Sequence, residues 1–98
     1  MRRDEVLAKL RAYETELRAA GVEALYLFGS VARDEAIEGS DVDLLFEARP
    51  GTMRSLFDVF GARHICEDAL GGQVDLVDRA GLRDEVRPAA LRDARRIF

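Results

Sequence analysis

Three acidic residues are the first candidates for chemistry in this chain. Asp41 and Asp43 are two apart, which puts both side chains on one face of an extended strand while Val42 points to the other. Asp75 lies in a second apolar run, Val74-Asp75-Leu76-Val77. Carboxylates gathered at one place repel each other and resist ionisation, and a hard divalent cation relieves that repulsion. An all-oxygen donor set suits magnesium or manganese, and magnesium normally takes one or two carboxylates plus phosphate oxygens of a substrate. Three carboxylates could share two ions, an arrangement that in nucleotidyl transfer polarises an attacking hydroxyl and stabilises departing pyrophosphate. Gly29-Ser30 ends ten residues before Asp41. Glycine lets a backbone come close to phosphate, and Ser30 would stand at a helix N-terminus, where amide hydrogens favour anions. Ser30 can also be read as a plain helix cap. Arg33 fits a triphosphate contact and equally a surface pairing with Asp34, Glu35 or Asp41. An isolated Asp-x-Asp is usually a solvated strand start, so the metal-site reading depends on the Gly-Ser turn and the third aspartate at their spacings.

The elements that must hold these residues follow from periodicity. From Asp4 to Ala20, Val6, Leu7, Leu10, Tyr13 and Leu17 recur at helical spacing, and Gly21 ends the run. Ala24 to Phe28 is expected as a first buried strand, Val31 to Ile37 as about two helical turns, and Val42 to Phe46 as a second strand. Thr52 is the expected N-cap of a helix from Met53 to Leu70, weakened in its middle by Gly61 and stopped by Gly71-Gly72. Val74 to Val77 is expected as a third strand. Leu82, Val86, Ala90, Ala94 and Ile97 then outline a last helix, interrupted or restarted at Pro88. That helix would carry Arg92, Arg95 and Arg96 on a basic face, read as solvated.

Ten residues between Ser30 and Asp41 are too few for a parallel crossover, so the first two strands should be antiparallel, with Ser30 and the Asp41/Asp43 pair at one sheet edge. The long helical segment before Val74 is a typical parallel crossover, which sets Asp75 level with Asp41 and Asp43. The expected fold is α/β, in the order αβαβαβα, with a small three-stranded mixed sheet flanked by helices.

Gly29-Ser30, ten residues and then Asp41-Val42-Asp43 resembles the GS…DxD signature of the polymerase-beta-type nucleotidyltransferase superfamily. Gly29 to Arg33 with Ser40 to Leu44 is similar to its minimal branch, and Gly72 to Val77 matches where that branch carries its third aspartate. The resemblance implies one minimal nucleotidyltransferase domain over residues 1–98. Asp41, Asp43 and Asp75 would be its catalytic metal ligands, with Asp75 also aiding activation of the nucleophile. It implies Gly29, Ser30, Arg33 and Ser40 as nucleotide-binding residues, Mg2+ or Mn2+ as the metal, and ATP as substrate. The branch often has glycine where this chain has Asp34, which predicts a small local change. Larger members carry extra domains for an acceptor. Their absence resembles the antitoxin members, which move AMP onto a tyrosine hydroxyl of a partner HEPN-type toxin.

Composition narrows the alternatives. With 98 residues and 48% hydrophobic content, one compact core is expected, with little chain left to enclose a second substrate. A formal net charge of -4 argues against generic nucleic-acid binding, although the bases are fourteen arginines and Lys9. A single cysteine, Cys66, and a single histidine, His64, argue against a disulfide and against a zinc site. No run reaches membrane-spanning length, so a cytoplasmic protein is expected, and the resemblance implies a hetero-oligomer with its partner. Two other functions stay open: an antitoxin that neutralises its partner by covering it, and the catalytic subunit of an aminoglycoside-type adenylyltransferase.

Overall fold

The computed structural model describes residues 2–35, 41–81 and 92–98. Its frame is a mixed sheet of four strands, β1 (Val22–Phe28), β2 (Val42–Ala48), β3 (Val74–Asp78) and β4 (Arg95–Arg96), in the order β3-β2-β1-β4. β1 and β2 run antiparallel and β2 and β3 parallel, as the connection lengths require.

One face of this sheet makes the core. Leu25 lies opposite Phe46, Leu27 opposite Leu44, and Val42 beside Val74. All six are buried in one cluster with Val6, Leu10, Leu17, Ala62, Cys66 and Leu70 from the helices. Leu45, on the other face between Asp43 and Glu47, is also fully buried, which explains the continuous apolar stretch Leu44-Leu45-Phe46 within β2.

Four expectations are corrected. The helix expected from Asp4 to Ala20 is two helices, α1 (Arg3–Arg11) and α2 (Glu14–Ala19). The ladder tightens where the Tyr13 N–H donates to the carbonyl of Leu10 at 3.0 Å and Tyr13 turns to φ -105 and ψ 15. The helix after the Gly-Ser turn, α3, covers only Gly29–Ala32, because Asp34 takes φ 60 and closes it; Ile37 lies outside the described residues. The long helix, α4, is Leu56–Leu70. Thr52 does not cap it, since Met53 sits at φ 53, a left-handed conformation no α-helix accommodates. Ser55 is the cap, its N–H donating to the carboxylate of Asp58 at 3.3 Å, while the Thr52 hydroxyl donates to the Arg49 carbonyl at 2.6 Å. α4 runs unbroken through Gly61 and ends at Gly71 in the left-handed conformation, φ 72.

The fourth correction is the C-terminus. Residues 82–91 of the expected last helix lie outside the described residues, and Arg95–Arg96 form β4, a fourth strand against β1. The Ile97 N–H donates to the Leu25 carbonyl at 2.8 Å, and the Leu25 N–H donates to the Phe98 carbonyl at 3.1 Å. An uncovered β1 edge would leave those groups unpaired, and burial of Ile97 and Phe98 adds apolar contact.

Candidate active site

The β2–β3 register pairs Asp43 with Asp75, and residues paired in parallel strands project to the same face. On the other side of β2, Asp43 pairs with Phe28, the last residue of β1, so Gly29 begins beside it. Gly29 has φ 75, and a Cβ placed there would meet Oδ2 of Asp43 at 2.3 Å. The turn and the aspartate are therefore packed against each other with no room for a side chain on Gly29. Asp41 lies exposed just before β2, Asp43 is half-buried within it, and Asp75 is exposed.

Electrostatics ties the three acids together. The Asp43 carboxyl is held above the usual aspartate range, first by burial, then by the charges of Asp75 and Asp41, with Arg33 pulling the other way. A bound divalent cation would reverse that upward push, and a donor set of carboxylate oxygens alone fits magnesium or manganese. As they stand, no three His, Cys, Asp or Glu side chains among the described residues close into a ready metal cage. The backbone register sets Asp43 and Asp75 at one level of the sheet.

Ser30 is the second residue of α3, whose cap position is Phe28, and no side-chain cap bond forms there. Ser40 lies outside the described residues. Arg33 is 42% exposed and pairs with Glu35 at 3.2 Å and with Asp93 at 3.5 Å. Glu35 was among its expected partners. Asp93, sixty residues away, has no local sequence signal. Arg33 thus makes ordinary surface pairs and also acts on the charge of Asp43. Farther along the face that bears Asp43, Arg79 pairs with Glu47 and lies 5.6 Å from the ring centroid of Tyr26, and Arg96 approaches the same ring at 5.9 Å. Sequence reading missed this group, because it depends on strand register and on β4.

The model of the family described as the nucleotidyltransferase domain matches residues 9–97. The chain belongs to the nucleotidyltransferase domain family. This nucleotidyltransferase is 38% identical over 93 residues to the protein adenylyltransferase MntA of Thermococcus cleftensis, covering 92% of this chain and 90% of that one. A solved structure described as a minimal nucleotidyltransferase superposes with a TM-score of 0.82 at 35% identity, over 97% of this chain and 95% of that one. The fold is also shared, at a TM-score of 0.62 and 19% identity over 90% of this chain and 68% of that one, with a chain of a tri-AMPylated Shewanella oneidensis HEPN toxin in complex with MNT antitoxin. Among the described residues, no helix of the nucleotidyltransferase is long and apolar enough to cross a membrane.

Proposed function

We propose that this nucleotidyltransferase moves AMP from ATP to a tyrosine hydroxyl of a HEPN-type toxin and so acts as its antitoxin. The observation that carries the reading is the pairing of Asp43 with Asp75 at one level of the sheet, packed against the Gly29-Ser30 turn. The activity in the name of the Thermococcus relative supports a protein acceptor, and the AMP-bearing toxin in the Shewanella complex supports the partner class.

In this reading Asp41, Asp43 and Asp75 hold Mg2+ or Mn2+. The metal, when bound, neutralises phosphate charge and lowers the pKa of the attacking hydroxyl. The Gly29 backbone and Ser30 seat the triphosphate, with Arg33 and Ser40 as further contacts. Asp75 orients the acceptor and takes up its hydroxyl proton. The hydroxyl oxygen then bonds to the α-phosphorus in line, the bond from that phosphorus to the bridging oxygen breaks, and pyrophosphate leaves with the electron pair.

Intact-mass spectrometry of the partner, incubated with this protein, ATP and magnesium, tests the proposal. The expected result is one or more added adenylyl groups, lost with Asp43→Asn. A partner that is silenced while its mass never changes would establish neutralisation by binding in place of transfer. Label from ATP appearing on a small molecule alone would establish the aminoglycoside-type activity.

A further inference from the structure

We propose that the cleft between α1, α3 and β4 is a second anion site, independent of metal, that takes an oligophosphate such as pyrophosphate. The cleft encloses about 330 Å³ and is lined by Arg3, Arg33, Arg92 and Arg95, with Asp93 and two alanines completing its wall. Among the described residues the four guanidinium groups meet three carboxylates, Asp4 on Arg3 at 3.5 Å and Glu35 and Asp93 on Arg33 at 3.2 and 3.5 Å, so the positive charge without a partner lies on Arg92 and Arg95, in a chain whose formal net charge is -4. Asp93 is engaged with Arg33 at 3.5 Å. Among the described residues, Arg92 and Arg95 have no acidic partner of their own.

This cleft does not open on the catalytic edge. Arg95 pairs with Leu27, a core residue, so it projects to the helix side of the sheet, where Arg3 on α1 meets it. Asp43 pairs with Phe28 and projects to the opposite face, the one on which Arg96 approaches Tyr26. Arg33, at the end of α3, is the element the two regions share.

The chemistry of the lining selects the ligand. A guanidinium presents a rigid fork of donors that matches phosphate oxygens, and several forks around one concavity suit a compact anion with several charges. A lone carboxylate would answer only one arginine. The short alanine side chains leave the space between the guanidiniums open.

The cleft shares Arg33 with the proposed triphosphate site, so the test uses Arg3, Arg92 and Arg95, which that reading does not involve. Pyrophosphate is titrated calorimetrically into the whole chain in EDTA, where the aspartate edge repels it. One binding event is expected, weakened by added salt. Arg92→Ala/Arg95→Ala should reduce affinity roughly tenfold or more, as loss of charge-assisted hydrogen bonds does. Arg3→Ala should weaken it less, and it tests the cleft without touching β4. Arg54→Ala/Arg63→Ala, on the α4 side of the molecule, should leave it unchanged. ATP titrated in the same buffer separates the sources: equal dependence on Arg92 and Arg95 identifies a nucleotide's phosphate tail, and binding of pyrophosphate alone identifies the free anion. No binding at millimolar pyrophosphate, the same loss in the Arg54/Arg63 pair, or a response to Asp43→Asn without one to the cleft arginines would each overturn the proposal.

Discussion

The side chain of Asp43 occupies the space that a side chain on Gly29 would need, its Oδ2 lying 2.3 Å and its Cγ 3.1 Å from where a Cβ would stand. Gly29 also sits at φ 75, where any Cβ is strained. Gly29→Ala should therefore cost about 1–3 kcal/mol of stability and displace the carboxylate, abolishing nucleotidyl transfer. Adding Asp43→Ala to Gly29→Ala should recover part of the stability and none of the activity. Urea unfolding of the four proteins in this cycle checks the coupling, and additive losses would separate the two residues.

The raised Asp43 pKa has a stability consequence. A carboxyl that titrates higher when folded than when unfolded favours folding while protonated. That contribution is complete below the ordinary aspartate value of 3.8 and is lost as pH rises through the folded value. In EDTA at neutral pH, Asp43→Asn should melt a few degrees above wild type, and the gap should close as pH falls below that value. Saturating magnesium and ATP should reverse the order, because only wild type keeps the full set of carboxylates. Melting curves across pH, with and without ligand, make the comparison.

Asp34 holds φ 60 at the end of α3. Aspartate tolerates the left-handed region better than most residues, and glycine better still. Asp34→Gly should leave stability unchanged or raise it by up to about 1 kcal/mol, whereas Asp34→Val should cost roughly 1–2 kcal/mol. Chemical denaturation measures both. A tolerated valine would mean the turn is free to rearrange.

Cys66 is fully buried on α4, and burial, with a smaller contribution from Glu67, pushes its thiol up to about 12. Iodoacetamide should leave the native protein unmodified at neutral pH and label it once in urea. Mass spectrometry of both samples decides, and labelling of the native protein would show that α4 opens readily.

Local sequence determined much of this molecule. The apolar runs around Leu25, Leu44 and Val74 specify three strands, because their side chains have no stable place except a sheet interior. The lengths of the two connections impose the antiparallel and parallel pairings that place Gly29, Asp43 and Asp75 together, since chain geometry allows few other routes. Tertiary structure decided what local pattern leaves degenerate. Ala94 and Ile97 suit a helical face, yet the chain end is drawn out along β1, whose unpaired edge and adjoining core reward extension. Thr52 and Ser55 are both acceptable caps by type, and the left-handed Met53 selects Ser55. The four-arginine cleft belongs to the same class of feature. Arg3, Arg33, Arg92 and Arg95 are scattered through the chain, and only packing of the C-terminal segment against α1 and α3 brings their charges to one place.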